Sequence, residues 1–515
     1  MNIVIGSGPA SVFCALALLK KGESVTMIDS GLTLEAERAQ AVDVAQSQSK
    51  AEWGESFLSM IRDKSDPSVG GLPKKLVYGS DYPFRSPDSD VRTTYSECES
   101  LTSYALGGLS NVWGANVLPL LRSETADWPV TRDTLWPFYK EVSRHIPICA
   151  DHDDLTDLFG DCFSHYETLP KSRQISSMFS SLQRHRERLQ RAGVHFGASR
   201  LAVRAAGCDA CGMCLYGCPR RLIYSSADSM GLLRSFPGFS YRPGLLAQQV
   251  EESELGIRVL VKTIEDGHKE WISGNKLYVG CGPISSTALM LASFGKVNEE
   301  VRLKDSQYFL SPFLLFRGTR NITTEPAHTL SQAIVELIDP SVCERSIHLL
   351  FYSYNDMYLR AIRKLFGSAY TIARPVVNKA LGHVMVVQGY LHSDCSGALG
   401  LSWKSSSDLS LVGYSNPHTK RYVSNALWLL MKNSRAFGGV PFVPLNQTAP
   451  IGKSYHLGAS FPMSVSPSGW QSDPLGRIKG LKRVHVVDAS VLPAVPAQNT
   501  TFTVMANAYR IGAES

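Results

Sequence analysis

The sequence lacks both a membrane-spanning segment and a strong charge. The 515 residues contain no run of about 18 apolar residues, the length at which a membrane helix is expected. Charged residues make up only 19% of the chain, and the formal net charge of +6 is too small and too scattered to indicate a nucleic-acid-binding protein. The first recognisable pattern begins at Met1, which leaves no room for a secretory signal. We therefore expect a cytoplasmic protein.

The composition that remains is that of a large globular protein. Apolar residues make up 44% of the sequence, which is enough for a substantial core, and the length favours two domains. There are eleven cysteines, and four of them are clustered. In a reducing compartment such a cluster indicates metal or redox chemistry before structural disulfides.

The first thirty residues follow the pattern of a dinucleotide-binding unit. An apolar strand, Ile3–Ile5, leads into Gly6-Ser7-Gly8 and then into an alanine-rich helix that runs to Lys20. A second strand ends in Asp29. The glycines allow a tight turn and a close approach of a pyrophosphate to the helix N-terminus, and the acid can accept hydrogen bonds from ribose. The alternative is an ordinary strand–helix–strand unit without a ligand.

Two further glycine-containing segments extend this pattern. Residues 104–116 contain Gly107-Gly108 followed by small and aromatic residues, which suits a backbone pressed against a flat ring system or, equally, a tight structural turn. Residues 276–290 repeat the order of strand, glycine turn and helix. This second crossover, far from the first, predicts one nucleotide-binding sheet that resumes after an insertion.

The clustered cysteines are Cys208, Cys211, Cys214 and Cys218, followed by Pro219. Their C-x2-C-x2-C-x3-C-P spacing is that of the bacterial ferredoxin run, which holds iron–sulfur clusters. Because only one such run is present, Cys218 either completes the same cluster or is spare, in which case a three-iron cluster would form. A four-cysteine zinc site and paired disulfides are the alternatives, although zinc ligands are usually split into two distant pairs.

The middle of the chain reads as a second domain. Four segments without glycine fingerprints predict an antiparallel sheet: 308–316, 331–338, 346–352 and 383–391. Amphipathic helices are expected at 131–146 and 176–192. Residues 358–381 are basic and amphipathic with Pro375 inside, including Arg360, Arg363 and Lys364. They read as a solvated helix face or, in a second interpretation, as a peripheral contact with an anionic membrane such as the inner face of the cell membrane.

The C-terminal segment contains the remaining chemistry. Ser454-Tyr455-His456-Leu457-Gly458 precedes a loop rich in proline and serine, and an apolar strand then ends in Asp488. A second proline-rich loop leads to Asn499-Thr500-Thr501 and an apolar helix. Polar residues at the start of this helix indicate that its N-terminus faces a ligand.

Together these segments resemble the glucose–methanol–choline (GMC) flavoprotein oxidoreductases. The matching positions are Gly6 and Gly8 with Asp29, Gly107 to Ala115, Gly280 to Leu289, His456 with Gly458, and Val487 to Met505. The resemblance implies an α/β plus α+β protein, in which a discontinuous Rossmann-like FAD domain carries an inserted antiparallel-sheet substrate domain. We assign 1–119, 196–305 and 450–515 to the FAD domain, with the cysteine loop, and 120–195 and 306–449 to the substrate domain.

The resemblance also implies roles for individual residues. His456 matches the catalytic histidine, which takes the proton of the alcohol, and Asn499 matches a second catalytic position that donates a hydrogen bond to the developing alkoxide. Val250 falls where the family contacts adenine. The candidate FAD-binding residues are Gly6, Ser7, Gly8, Pro9, Ala10, Asp29, Ser30, Gly107, Gly108, Asn111, Trp113, Gly114, Ala115, Val250, Gly280, Asp488, Ala489, Asn499, Thr500 and Thr501.

Two departures from the family refine the expectation. Trp113 replaces an asparagine that is common in the family, a feature similar to the branch of pyranose oxidases and sugar dehydrogenases. Pyranose oxidases bind flavin covalently through a histidine one position earlier. Because Val112 stands at that position here, FAD should be noncovalent. Some sugar dehydrogenases of this branch carry an iron–sulfur cluster, which favours a 4Fe–4S over a 3Fe–4S cluster at Cys208–Cys218.

We therefore expect a dehydrogenase that oxidises a hydroxyl of a sugar or sugar conjugate and passes electrons through the cluster to an external one-electron acceptor. A GMC oxidase with structural cysteines and a non-catalytic flavin and iron–sulfur redox protein are the rival hypotheses.

Overall fold

The computed structural model describes residues 1–62, 75–87, 90–357 and 367–515. Its strands, in chain order, are β1 (Asn2–Ile5), β2 (Val25–Ile28), β3 (Arg92–Ser96), β4 (Val194–Ala198), β5 (Phe239–Arg242), β6 (Leu245–Ser253), β7 (Gly256–Thr263), β8 (Lys269–Gly274), β9 (Leu277–Val279), β10 (Val301–Asp305), β11 (Tyr308–Leu315), β12 (Ala333–Leu337), β13 (Ile347–Tyr352), β14 (Val384–Leu391), β15 (Ala398–Ser405), β16 (Asp408–Tyr414), β17 (Gly439–Pro441), β18 (Gln447–Thr448), β19 (Leu457–Gly458) and β20 (Val484–Val486).

The helices lie between these strands. They are α1 (Pro9–Lys20), α2 (Ala36–Ser47), α3 (Glu55–Ile61), α4 (Arg132–Ser143), α5 (Asp154–Phe159), α6 (Arg173–Arg184), α7 (Arg186–Arg191), α8 (Met230–Arg234), α9 (Pro283–Phe294), α10 (Tyr370–Leu381), α11 (Thr419–Lys432), α12 (Ser434–Phe437) and α13 (Thr501–Glu514). Among the described residues, no helix is both long and apolar enough to cross a membrane.

A five-stranded parallel sheet in the order β20-β9-β1-β2-β5 forms the dinucleotide-binding part. The residues of β1 and β2 are all buried, which is expected because helices cover both faces of a parallel sheet. Helices α1 and α13 pack closely on each other: a Cβ added at Gly512 would lie 2.7 Å from the carbonyl oxygen of Cys14. The first and last helices of the chain therefore belong to the same core.

A seven-stranded antiparallel sheet forms the second part. Its main path is β17-β11-β14-β13-β12-β4, and β18 pairs with the edge of β11. One face packs on α6 and α11 through a core that includes Ile175, Phe351 and Leu430. The opposite face carries the even-numbered residues of β11, β13 and β14 and is turned toward the parallel sheet.

Two smaller sheets connect these parts. A second five-stranded sheet runs β19-β10-β15-β16-β3, and a three-stranded sheet is formed by β6-β7-β8. The predicted hairpin with Asp266-Gly267 in its turn is confirmed as β7 and β8, which pair antiparallel. The expected fold class, a Rossmann-like parallel sheet with antiparallel sheets, is confirmed.

Some boundaries differ from the sequence-based ones. The helix expected over 176–192 starts earlier, because the Ser172 hydroxyl caps it by accepting the N–H of Ile175, and it divides at His185 into α6 and α7. The stretch 358–381 lies partly outside the described residues, and its remainder forms α10, in which Pro375 is helical. The domain boundaries stay a prediction, and the one between 195 and 196 falls inside β4.

Candidate active site

The carboxyl ends of four parallel strands bring distant segments together. β1 leads into Gly6, β2 into Asp29, β9 into Gly280 and β20 into Asp488 by way of Val487. In open α/β sheets this edge is where ligands bind. The four glycine or acid positions identified in the sequence are therefore neighbours, although they are spread over more than 480 residues.

The turn after β1 has no room for a side chain at its first glycine. Gly6 has φ +92°, and a Cβ there would lie 2.9 Å from the carbonyl oxygen of Gly280. Ser7 is buried beside it; its hydroxyl donates to Asp29 and accepts the N–H of Gly107 at 2.9 Å. The segments around residues 6, 29 and 107 are thus joined through one hydroxyl group.

Asp29 is a buried carboxyl group at the edge of this turn. The Tyr241 hydroxyl donates to its Oδ2 at 3.1 Å, and the Ser7 hydroxyl donates to the same atom. Burial raises the pKa of Asp29 to about 6, while these two hydroxyl groups act in the opposite direction. It is an acceptor placed to bind the ribose hydroxyls of a dinucleotide.

Two helix N-termini face the same space. The N-cap of α1 is Gly8 and that of α13 is Thr500, and neither cap makes a side-chain hydrogen bond to the first turn. The first N–H groups of a helix have no partner within it and favour anionic or electron-rich ligand groups. The predicted orientation of the last helix toward a ligand agrees with Thr500 and Thr501 lying on the cleft wall.

These elements enclose a cleft of about 1690 Å³. This is larger than the roughly 300–1,000 Å³ of ordinary small-molecule pockets, and it leaves room for a dinucleotide together with a substrate. The predicted site residues on its wall are Gly6, Ser7, Gly8, Pro9, Ala10, Asp29, Ser30, Gly108, Trp113, Gly114, Ala115, Gly280, His456, Asp488, Ala489, Asn499, Thr500 and Thr501.

Three predicted cofactor residues lie behind the wall of the cleft. Gly107 has φ +87° and supports the turn, and the Asn111 amide donates to the carbonyl oxygens of Leu106 and Gly108 at 2.9 and 2.8 Å. Val250 is buried, and its N–H donates to Ser293 Oγ at 2.9 Å. The structure places the neighbouring residues 245–249 on the wall instead of Val250.

His456 and Asn499 come together on the wall of the cleft. His456 Nε2 lies 3.2 Å from Asn499 Nδ2, although 43 residues separate them. His456 Nδ1 and Asn499 Oδ1 are buried, and neither has a hydrogen-bond partner among the described residues. Buried polar atoms are nearly always paired, so these atoms fit a site that a bound flavin and substrate complete.

The surroundings of His456 favour its neutral form. Its ring stacks on Tyr390 with 4.6 Å between centroids. Burial, with a smaller electrostatic contribution from His348, lowers the pKa of His456 to about 4. A neutral imidazole can accept a proton, which is the property that a catalytic base needs.

The opposite wall of the cleft was missed by sequence analysis. It consists of alternate residues from three neighbouring strands of the seven-stranded sheet, namely Tyr308, Leu310, Leu350, Tyr352, Gln388 and Tyr390. Tyr455 lies on the same wall. The strands themselves were predicted, and their alternation was the available signal. Which of the two faces turns toward the cleft depends on packing with the parallel sheet.

The cysteine loop is anchored to the segment that precedes it. The Tyr78 N–H donates to the carbonyl oxygen of Tyr216 at 2.7 Å. The Tyr78 hydroxyl donates to the carbonyl oxygen of Cys218 at 2.8 Å. Lys50 donates to the carbonyl oxygen of Cys211 at 2.6 Å. Gly217 has φ +99°, and a Cβ there would lie 2.8 Å from the Tyr78 ring.

The four thiols are close enough to influence one another. Burial, with a smaller contribution from the neighbouring Cys214, raises the pKa of Cys211 to about 12 and that of Cys218 to about 11. Within the described ranges, no three His, Cys, Asp or Glu side chains are assembled closely enough to hold a single metal ion. The described residues therefore contain no preassembled site for a single ion such as zinc.

The cysteine loop borders the cleft. Leu215 lies on the cleft wall, and Lys75, also on the wall, donates to the carbonyl oxygen of Trp113 at 2.7 Å. Burial lowers the pKa of Lys75 to about 8, and a negative charge on Cys214 opposes this effect. Lys75 therefore contacts the Trp113 segment and lies near Cys214.

Comparisons with known proteins agree with the fold of this chain. Residues 442–508 match the family model of the GMC oxidoreductases, in its C-terminal domain. The fold is similar to the crystal structure of pyridoxine 4-oxidase from Mesorbium loti, with a TM-score of 0.62 and 12% identity over 99% of this chain and 98% of that one. No curated protein matches the sequence.

The comparisons therefore show a C-terminal segment, residues 442–508, that is similar to the GMC oxidoreductases, within a chain whose overall fold is similar to that of an oxidase. The cradle of Gly6, Asp29 and the two uncapped helix N-termini fits FAD, and His456 with Asn499 fits the alcohol.

Proposed function

We propose that this protein is a dehydrogenase that oxidises a hydroxyl group of a sugar or sugar conjugate to a ketone or lactone. FAD, bound noncovalently in the cleft, would accept the hydride from the carbon. Electrons would leave through an iron–sulfur cluster held by Cys208, Cys211, Cys214 and Cys218 to an external one-electron acceptor. The observation that carries the proposal is the contact between His456 and Asn499 inside the cleft.

His456 acts as the base in this proposal. Nε2 lies 3.2 Å from the Asn499 amide nitrogen, a donor, so Nε2 carries a lone pair, and it would take the proton of a substrate hydroxyl that replaces this contact as the hydride leaves. The Asn499 amide donates a hydrogen bond to the oxygen as negative charge develops on it. The low pKa of His456 keeps it unprotonated in the resting enzyme.

The wall opposite FAD supports a neutral ring-shaped substrate. Tyr308, Tyr352, Tyr390 and Tyr455 provide flat apolar faces with polar edges, and Gln388 adds an amide. Such surfaces bind rings while their hydroxyl and amide groups fix the orientation. A sugar is our choice within this class because of the resemblance at Trp113.

Screening of flavin bleaching tests the substrate and the reaction. Under anaerobic conditions, the FAD-loaded protein is mixed with a panel of sugars, nucleotide sugars, glycosides and aromatic alcohols. We expect a sugar to bleach the flavin and an artificial one-electron acceptor to restore it. Bleaching only by aromatic alcohols overturns the sugar assignment, rapid peroxide formation in air identifies an oxidase, and no bleaching identifies a non-catalytic protein.

Metal analysis tests the cluster. The loop has the donor set for a cluster, four cysteine sulfurs at the ferredoxin spacing, and bound iron would stabilise the thiolates that burial disfavours at Cys211 and Cys218. Anaerobic assays should find about four iron and four sulfide per chain. Cys214→Ala should reduce both, whereas Cys149→Ser, a buried cysteine outside the run, should not. Zinc without sulfide contradicts the proposal.

A further inference from the structure

Two cysteines outside the Cys208–Cys218 run are in contact at one end of the seven-stranded sheet. Cys343 Sγ and Cys395 Sγ lie 3.1 Å apart, although 52 residues separate them. Within the described ranges, no other two cysteine sulfurs are in hydrogen-bond contact with each other. The sulfurs of a disulfide lie about 2.05 Å apart, so a bond here requires the two atoms to approach by only about 1 Å.

Strand pairing directs the two cysteines toward each other. β13 and β14 pair antiparallel, and the last pair at this end is Ile347 with Leu391. Cys343 precedes this pair by four residues and Cys395 follows it by four, so both stand at positions that continue the same register. The turns that begin where the strands end therefore leave the sheet side by side.

Both turns are also fixed to the same helix. The Thr419 hydroxyl donates to the carbonyl oxygen of Cys395 at 3.0 Å. The Asn425 amide donates to the carbonyl oxygen of Val342, the neighbour of Cys343, at 3.0 Å. Because Thr419 and Asn425 both belong to α11, the backbone on each side of the sulfur contact is held by one rigid element.

The two thiols lie one residue below the solvent. Cys343 is 4% exposed and Cys395 is 2% exposed, whereas their chain neighbours Glu344 and Asp394 are exposed. Arg345 forms an ion pair with Asp394 at 2.9 Å and so connects the two turns on the solvent side. We therefore expect a small oxidant such as hydrogen peroxide, and not a bulky reagent, to reach the sulfurs.

The same two turns support the loop 495–499, which carries the second catalytic position. Ser393, two residues before one cysteine, exchanges two hydrogen bonds with Val495: its N–H donates to the carbonyl oxygen at 2.9 Å, and its Oγ accepts the N–H at 3.1 Å. Ser346, three residues after the other cysteine, accepts a hydrogen bond from the Gln498 amide at 2.9 Å. A bond between the cysteines would therefore join both supports of this loop.

We propose that Cys343 and Cys395 are a site of reversible oxidation, at which hydrogen peroxide forms a disulfide that fastens the loop 495–499. Both S–H bonds and the O–O bond break as the S–S bond forms. The thiols lose two electrons and two protons, and one hydrogen peroxide becomes two waters. A dithiol reductant restores the thiols and is itself oxidised to a disulfide. The inference is independent of the proposed substrate and base, because neither sulfur lies on the cleft wall.

Peptide mapping by mass spectrometry tests the site in the FAD-loaded protein. The folded protein is treated with hydrogen peroxide, the excess is removed, and the remaining thiols are alkylated before digestion without reductant. We expect one linked pair of peptides that contains Cys343 and Cys395, lacks two hydrogens in mass, and disappears after dithiothreitol. Cys149→Ser, which changes a buried cysteine elsewhere, should keep this linked pair. Two separately alkylated or over-oxidised cysteines overturn the proposal.

Thermal unfolding and amide hydrogen exchange test the fastening of the loop. Closure of a 52-residue loop by a disulfide should raise the Tm by about 2–5 °C, and exchange in the peptide containing 495–499 should slow severalfold. Peroxide should cause neither change in Cys343→Ser, nor in Cys395→Ser if the first variant does not fold. A linked pair of peptides with unchanged exchange overturns the fastening of the loop. If no alcohol or sugar bleaches the flavin, the proposed function fails instead.

Discussion

At the scale of single residues, the site combines groups whose burial sets their protonation. His456 is held neutral and Asp29 retains its proton up to about pH 6, both because their charged forms are poorly solvated. Each is functional in one protonation state only: the histidine as an acceptor of a proton, the aspartate as an acceptor of hydrogen bonds.

Removal of the imidazole should slow the chemical step. We expect His456→Ala to reduce the rate of anaerobic flavin reduction by roughly 10²–10⁴-fold, because the substrate proton loses its acceptor. FAD should stay bound, since the cradle around Gly6 is untouched. Stopped-flow absorbance at the flavin band measures the rate, and the exposed His418→Ala serves as the control.

Retention of FAD should depend on pH through Asp29. The raised pKa means that the carboxylate is present above about pH 6 and is lost as the pH falls through that value. We expect FAD to dissociate more readily below pH 6 than at pH 8, measured as released flavin fluorescence. Asp29→Asn should weaken FAD binding at pH 8 and abolish this pH dependence. The same pH dependence in the variant would exclude Asp29 as its source.

At the scale of elements, the sequence predicts those helices and strands whose ends are set by neighbouring residues in the chain. Helix α1 begins and ends where Gly8-Pro9 and Lys20 indicated, because the glycine turn and the apolar run fix both ends. The four strands expected over 308–391 are all present as β11 to β14. The contact of His348 with Glu336 could not be predicted, because it depends on the register between β12 and β13, which alternation alone leaves open.

Helix α10 presents apolar side chains to solvent. Ile372 is 88% exposed and Val376 is 73% exposed, one turn apart and close to Lys379. The expected membrane contact of 358–381 stays a prediction, and these side chains are the part of it that the structure describes. We expect the protein to sediment with anionic vesicles, and Ile372→Ser with Val376→Ser to reduce the bound fraction severalfold. The membrane contact would be contradicted if the protein bound neutral vesicles as well as anionic ones. It would also be contradicted if the double variant bound anionic vesicles as well as the wild-type protein.

At the scale of the whole molecule, residues from both ends of the chain form one core. Glycine fingerprints at residues 6 and 280 and the acid at 488 predicted a single discontinuous sheet, and its order β20-β9-β1 agrees. The sequence did not indicate how the seven-stranded sheet is oriented over it. That orientation places the aromatic wall opposite the predicted flavin site, and it arises from long-range packing.

The contact between the first and last helices should be sensitive to a single methyl group. We expect Gly512→Ala to destabilise the protein by about 1–3 kcal/mol, because the Cβ would lie 2.7 Å from a backbone oxygen of α1. Differential scanning calorimetry would record a lower Tm and earlier release of FAD. Gly231→Ala is the matched control in a short helix, where a Cβ meets nothing within 4 Å. A similar Tm for both variants would exclude tight packing at α13.

The late position of β20 and Asp488 also bears on how the enzyme is made. A ribosome releases the Gly6 turn first, yet the strand beside β9 and the Asn499 loop emerge only after residue 484. Until then the nascent chain has half of a nucleotide cradle and an open apolar sheet edge. We therefore expect FAD to bind only after β20 and the Asn499 loop have left the ribosome.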